Sequence, residues 1–391
     1  MEVKKILDLI PNKLLEKLAI ETEVNVFSKK LYGEVFFKLL VYSILSQNDN
    51  SLRAMESTYE SLFFKLLSRK YHKGKVTYSS ISTRLSNINP DYFENIFKVC
   101  IKIFKKELGD EKEQVIRFDS TIVSLGTKLL NVGYHLKGGD ADKVRQLKFT
   151  IGYANSIPEI AQFYQQQQYT SENVALKEVI LLQAEQDKKT IKVFDRGITS
   201  RNTYDEFTDK KILFVSRLNS NAVHAVVKKY DDDIKMPLET ESLTIFSDNW
   251  CQLYSSNSKA NNLVRRIEAV VNETKETIVF VTNITELPAI EVTEVYKKRW
   301  EIEVFFKFIK QLLNFSHLIN RTENGIKVML YATMISAVLL TVFKKSKKLN
   351  GYKIPVMKFL NELEIEIVKE LVILCDGNEE KLNEILLCNT S

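Results

Sequence analysis

Around residue 114 the chain changes its hydrophobic period, and it changes back near 290. Before 114 apolar residues recur at helical spacing, as in KLYGEVFFKLLVYSILSQ (30–47), a polar break NDNS, and SLRAMESTYESLFFKLLSRKY. From 114 onward short β-branched runs take over: QVIRFDSTIVSL (114–125), VRQLKFTIGYAN (144–155), KKTIKVFDRG (188–197) and ILFVSRL (212–218). SENVALKEVILLQAEQ (171–186) and TYDEFTDKK interrupt them as helices, and AVHAVVKKY, SLTIFSD, VRRIEAVV and ETIVFVTNI fill 222–284 with strands. Strands alternating with helices in the middle and helices at both ends specify an α/β core flanked by helical segments. In a chain of 391 residues there is room for two or three domains.

Two of the strand runs contain an aspartate. Asp119 interrupts VIRFDSTIV, where an unpaired carboxylate is costly. Asp195 sits where VFDRG leaves an apolar strand for a glycine turn, the strand end at which α/β folds place their chemistry. Each has an ordinary structural explanation. Asp119 suits a carboxylate bound to backbone or to a paired arginine, and Asp195 suits an Asx turn before Gly197.

A third carboxylate lies in YKKRWEIEVFFKFIK (296–310). At about 100° per residue, Tyr296, Arg299, Glu303 and Lys310 share a sector about 60° wide on one continuous helix, beside an apolar stripe of Ile302, Phe305, Ile309, Leu312 and Leu313. The polar strip is about 21 Å long at 1.5 Å rise per residue. A solvated edge with an Arg299–Glu303 ion pair explains it, worth a few tenths of a kcal/mol. That is the commoner explanation from spacing alone; a carboxylate flanked by cations also suits a metal site beside a polyanion, and the helix alone does not choose. Residues 291–350 carry 11 Lys+Arg against 5 Asp+Glu, while the rest of the chain is neutral, so the net +6 is local. That is the footprint of a polyanionic partner, or of lysines 344, 345, 347 and 348 keeping an apolar helix end soluble.

Other classes fit poorly. Four dispersed cysteines (Cys100, Cys251, Cys375, Cys388) point to a reduced cytoplasmic protein, and four scattered histidines (His72, His135, His224, His317) do not suggest zinc. MEVKKILDLIPNKLLEKL is polar and amphipathic, unlike a secretory signal. The apolar run VMLYATMISAVLLTVF (328–343) is shorter than a bilayer span and reads as a buried core helix, so no membrane partner is expected. No glycine-rich phosphate loop speaks for a small-molecule phosphotransferase. In KGKVTYSSISTRLSNI (73–88), Thr77 or Ser79 caps a short helix expected to carry Ser82, Thr83 and Arg84 outward as a weak helix-turn-helix reader; a plain helical bundle fits as well.

Taken together, strand-Asp, strand-Asp, helix-Glu is an arrangement that suits two oxygen-liganded divalent ions and in-line displacement at phosphorus. Arg299, Lys310 and Tyr296 would hold phosphates along the same ridge. Tyr-x2-Arg-x3-Glu-x6-Lys, with VIRFDSTIV and VFDRG upstream, TNI (282–284) before the helix and FVSRLNSN (214–221), resembles the DDE transposases of the insertion-sequence type 4 family. The likeness is good over about 110–345 and loose over 25–70. Position 198 is Ile where the family's second motif often carries Tyr.

The resemblance implies an RNase H-like catalytic core with a β-rich insertion, a helical N-terminal domain and a helical C-terminal tail. The expected segments are 1–108 (helical, DNA-binding), 109–218 (core, first part), 219–289 (insertion), 290–345 (core, second part with the glutamate helix) and 346–391 (tail). It implies cut-and-paste transposition, with Asp119, Asp195 and Glu303 holding two Mg2+ ions, for which Mn2+ substitutes, and with hairpin ends in the studied relatives. It further implies double-stranded DNA as partner (terminal inverted repeats and target), a homodimer at synapsis, and a cytoplasmic, nucleoid-associated location. A tryptophan of the insertion can hold a flipped base in such enzymes. Trp250 is the candidate and Trp300 the other, with a core role the commoner reading of each. A nuclease that cleaves without transposing, or a domesticated DNA-binding relative, would share these features.

Overall fold

The structure, a computed structural model, describes residues 2–46, 51–107, 114–125, 133–135, 145–255, 258–315, 318–378 and 380–382. The polar break around 48–50, His317, Cys388 and the end of the expected tail helix lie outside these residues. Seven helices open the chain: α1 (Val3–Asp8), α2 (Asn12–Glu21), α3 (Gly33–Ser46), α4 (Leu52–Glu60), α5 (Leu62–Leu67), α6 (Tyr78–Asn87) and α7 (Asp91–Glu107). Then come β1 (Val115–Leu125), β2 (Tyr134–His135), β3 (Arg145–Ala154), β4 (Ile157–Tyr164), α8 (Glu172–Gln186), β5 (Ile191–Phe194), α9 (Arg201–Asp209) and β6 (Phe214–Leu218). The strand-rich stretch follows as β7 (His224–Lys229), β8 (Leu238–Glu239), β9 (Leu243–Ser255), β10 (Ser258–Lys259), β11 (Val264–Val271) and β12 (Thr277–Thr282). Toward the C-terminus come α10 (Ala289–Lys297), α11 (Trp300–Leu312), α12 (Glu323–Ser346) and α13 (Lys353–Leu374).

The chain forms two compact units, Met1–Asp110 with Lys307–Ser391, and Glu111–Phe306. This differs from the five expected segments: α12 and the tail helix α13 join the N-terminal helices instead of the core or a separate tail. The reason is burial. Every residue of α12 from Ile326 to Phe343 except Lys327 is buried, and an all-round apolar helix needs neighbours on every side. α1, α3, α6, α7 and α13 supply them. By length and composition α12 could cross a membrane, but 94% of its apolar window is covered by protein, as the sequence reading of a core helix expects. Side-chain caps start several of these helices: Ser51, Ser61, Thr77 and Thr322 each accept a backbone N–H of the first turn.

The second unit is built on one mixed sheet of twelve described strands, ordered β10-β9-β11-β12-β6-β5-β1-β3-β2, with β4 on β3 and β7 and β8 on β9. β1, β5 and β6 run parallel, β3 and β4 antiparallel to their neighbours. The strands of the insertion do not form a separate layer, because β12 pairs with β6 and continues the sheet. Alternation along each strand sends side chains to opposite faces. Ile116, Phe118, Phe194 and Phe214 pack beneath α8 and α9. Val115, Val193 and Val215 pack with Ala289 and Val292 of α10 on the other side.

Candidate active site

β1 and β5 are in parallel register with Phe118 opposite Phe194, so the next residue of each chain segment, Asp119 and Asp195, emerges at the same edge of the sheet. Asp119 points to the face covered by α10 and α11. Its Oδ1 accepts the Ser120 N–H at 2.7 Å, and its Oδ2 lies 4.0 Å from the Arg299 guanidinium. Both ordinary explanations foreseen for this residue, a backbone bond and an arginine partner, are therefore present. Burial pushes its carboxyl up to about 6; the like charges of Glu172 and Asp195 add to this, and the Ser120 N–H and Arg299 oppose it. At Asp195 burial pushes the same way but is outweighed. The Arg196 N–H, the Tyr296 hydroxyl and the charges of Arg299 and Arg217 hold that carboxyl below its ordinary value.

The third acid comes from α11, and here the structure corrects the sequence reading. Tyr296 to Lys310 is not one helix. α10 ends at Lys297 and α11 begins at Trp300, with i→i+3 bonds from Arg299 N–H to Tyr296 and from Glu301 N–H to Lys298 across the joint. The helical wheel drawn over an unbroken helix therefore does not apply across Lys298. The four residues separate in role. Tyr296, 9% exposed and edge-on to Phe280, donates its hydroxyl to Asp195 Oδ1 at 2.8 Å. Arg299 donates to Glu303 Oε1 at 2.5 Å while facing Asp119, so one guanidinium spans two of the three acids. That Arg299–Glu303 contact is the i,i+4 pair of the bland reading. Lys310 is exposed in the last turn of α11, past the boundary between the two units.

The donor chemistry of Asp119, Asp195 and Glu303 suits a hard cation, since all donors are carboxylate oxygens and desolvation at half-buried Asp119 outweighs the charge of Arg299. The arrangement is not a closed metal cage. Among the described residues no three His, Cys, Asp or Glu side chains converge closely enough to hold an ion, and the cationic charge between the acids is that of Arg299.

Several neighbours of this candidate site escaped the sequence reading. Glu172, at the start of α8, lies against Gly197: a Cβ there would collide with the Glu172 carboxylate and come within 2.9 Å of Leu176 Cδ1. The glycine of VFDRG thus lets Glu172 and Leu176 approach the turn closely. Asn173 clamps the same loop, its Oδ1 accepting the N–H groups of Thr199 at 2.7 Å and Ser200 at 2.9 Å. Beside this loop opens a cavity of about 250 Å³ lined by Arg196, Arg201, Arg217, Asn219, Asn221 and Tyr254. Arg217 is only 17% exposed, and its Nε is buried without a hydrogen-bond partner. Its partial signal was FVSRLNSN, where a strand delivers an arginine to a polar loop.

The remaining candidates are placed less simply. Trp250 is half-buried on β9, between Lys228 of β7 and Arg265 of β11. Trp300, beside Arg299, is 63% exposed, so neither tryptophan is a fully buried core residue. Arg84 does not project outward as expected. Its guanidinium donates to the Val24 carbonyl at 2.6 Å, and burial draws its pKa down to about 10. Of Ser82, Thr83 and Arg84 only Thr83 is exposed.

Comparison with known proteins agrees with the sequence reading. The family described as the transposase DDE domain matches residues 110–339, more than half of the chain. An inferred transposase of Sinorhizobium fredii is 29% identical over 167 residues, 43% of this chain and 45% of that protein. An inferred transposase for the insertion sequence element IS4SA of Synechocystis is 24% identical over 359 residues, 87% of this chain and 92% of that one. The first match thus spans less than half of its relative's length. Among solved structures, a piggyBac transposase in a synaptic complex with hairpin DNA aligns over 97% of this chain and 82% of its own, at 11% identity and a TM-score of 0.49.

Proposed function

Because the chain belongs to the transposase DDE domain family, we propose that it moves an insertion sequence by cutting DNA at the element ends and joining the freed ends to a target. The observation that carries this reading is the meeting of Asp119 and Asp195 on adjacent parallel strands, with Tyr296 and Arg299 linking them to the Glu303 helix. The strand order β4-β3-β1-β5-β6, antiparallel then parallel, supports an RNase H-like core.

Asp119, Asp195 and Glu303 would hold divalent ions, two Mg2+ by preference and Mn2+ as a substitute. Bound there, such ions supply an activated water and stabilise the leaving oxygen of an in-line displacement. The protein's own groups do the rest. Tyr296 orients the Asp195 carboxylate through its hydroxyl, and its buried phenol, held above its ordinary pKa by burial and Asp195, stays a donor. Arg299 neutralises the acids before DNA arrives and is the guanidinium nearest to where a scissile phosphate would lie. Arg196, Arg201 and Arg217 form a basic cavity for the flanking DNA backbone, an assignment that accords with the salt-dependent affinity of phosphate contacts. Lys310, exposed in the last turn of α11, is a further candidate to hold a backbone phosphate. Of the two tryptophans, Trp300 is the better placed to stack on an unpaired terminal base in a hairpin-forming step, because it is exposed beside Arg299; Trp250 remains the candidate within the insertion. Two element ends call for a homodimer at synapsis. A DNA substrate accords with a cytoplasmic, nucleoid-associated location.

Strand cleavage of a DNA fragment carrying the gene's own flanking ends tests this. Wild type and Glu303→Gln are compared in Mg2+, Mn2+ and EDTA. Metal-dependent nicking at the boundary, lost in the variant, is the expected result. Equal cleavage by the variant removes Glu303 from the site, and cleavage with no joining of the 3′-OH end to target reduces the protein to a nuclease.

A further inference from the structure

Two residues before Asp119, on the same face of β1, stands Arg117, whose side chain is fully buried. Its Nε donates to the Lys298 carbonyl at 2.8 Å, and its NH2 lies 3.4 Å from Glu301 Oε2. Lys298 is the joint between α10 and α11, and its carbonyl also receives the Glu301 N–H. Arg117 therefore grips the turn that immediately precedes Arg299 and reaches the residue midway between Arg299 and Glu303. We propose that Arg117 is the positioning residue of the site: it fixes the start of the glutamate helix against the strand that carries Asp119, and so sets how Arg299 and Glu303 are presented to that acid.

The chemistry favours arginine for this work. A rigid planar fork with several donors can serve a carbonyl and a carboxylate at once, which a lysine ammonium on a flexible stem does not reproduce. Placing that fork two residues from Asp119 makes strand and helix share one anchor. Farther along the helix Phe305 lies against Tyr153 of β3, ring centroids 4.9 Å apart and planes tilted by 37°, while Arg117 holds the turn that precedes it. Glu301 is half-exposed, with 50% of its side chain accessible, so the ion pair reaches the surface while the carbonyl bond remains inside.

This inference rests on the transposase reading for its functional meaning, and it is tested by two readouts, only one of which needs activity. The first is hydrogen exchange in the absence of DNA and metal, comparing wild type with Arg117→Met and Arg117→Lys. Amides 298–303 are expected to exchange about tenfold faster in both variants, with those of β11 and β12 unchanged. The second is single-turnover cleavage of saturating end DNA. A loss of about 100-fold is expected for Arg117→Met, with DNA affinity within about twofold of wild type, since misplacement of about 1 Å costs that much. Lysine is not expected to restore it. Should Arg117→Met unfold, Glu301→Gln takes its place, with faster exchange at the same amides expected. Unchanged exchange at 298–303, restoration of cleavage by lysine, or equal loosening of β11 and β12 would overturn the proposal. A wild type that cleaves no end DNA with any divalent ion sinks the transposase reading instead, and leaves the exchange result to decide the positioning role.

Discussion

Tyr296→Phe is the most confined perturbation that the site allows. It deletes one oxygen and keeps the ring, whose edge-on contact with Phe280 at 5.3 Å and near-complete burial persist. What is lost is the hydroxyl donated to Asp195 Oδ1 at 2.8 Å. A hydrogen bond to a charged acceptor is worth about 1.5–3 kcal/mol. Asp195 retains the Arg196 N–H and the fields of Arg299 and Arg217, so the lower end applies, about 1.5 kcal/mol at neutral pH. The pH dependence has a definite sign. Asp195 has its carboxyl held below the ordinary value in the folded protein, so its stabilisation is present above the unfolded pKa, about 3.9, and is lost as pH falls through the lower folded value. The gap between wild type and variant should therefore be constant from about pH 5 to 7 and close only below the unfolded pKa. Urea denaturation followed by tryptophan fluorescence, in EDTA, measures it. Both tryptophans, Trp250 and Trp300, lie in the unit that holds the site, so the signal reports that unit. Equal midpoints at pH 7, or a gap that narrows between pH 7 and 5, would refute the hydroxyl–carboxylate bond as the source.

Other perturbations have equally direct outcomes. Asp248 and Arg265 form a bidentate pair at 2.5 and 2.7 Å, both buried, with Leu287 O and the Tyr230 ring completing the guanidinium's shell. Asp248→Asn should cost about 3–5 kcal/mol in urea denaturation, and adding Arg265→Met should recover part of it, because an uncompensated buried charge costs more than an apolar replacement. Gly197→Ala should lower stability by about 1–3 kcal/mol through its collision with Glu172 and Leu176, and Glu172→Ala in the same chain should relieve part of the loss. Arg217→Ala should weaken DNA binding evenly across sequences and lower the slope of log affinity against log salt by about 0.9, read by fluorescence anisotropy at several salt concentrations.

The strands that carry or precede Asp119 and Asp195 were legible in the sequence because each is marked by a conflict: a carboxylate in a β-branched run at Asp119, a strand meeting a turn at Asp195. Where legibility failed, a distant part of the chain decides the local outcome. Nothing near Lys298 announces a helix break; its carbonyl is taken by Arg117, 181 positions upstream. β4 was missed because its hairpin turns on Asn155 and Ser156, both at positive φ (53° and 67°), and Ser is a weak sign of a turn for which Asn-Gly is the usual one. Arg84 looked like a reader on a short capped helix, but Val24, 60 positions away, claims its guanidinium. The basic cavity gathers Arg196, Arg201 and Arg217 from a turn, a helix start and a strand, which no fixed spacing could reveal.

The route by which the third acid reaches the first two bears on how the protein is made. Between Asp195 and Glu303 the chain travels out along β6, through the insertion, and back along β12, which is hydrogen-bonded to β6 itself. A growing polypeptide of 290 residues has both aspartates and every described strand but lacks Glu303, Tyr296 and Arg299. Closing so long a loop is entropically costly in a free chain, and pairings of such sequence separation form late. The pairing of β12 with β6 closes most of that loop, so once it has formed α10 and α11 need only settle locally. Glu303 is thereby the last of the three carboxylates to be synthesised, and a chain stopped before it lacks the proposed set.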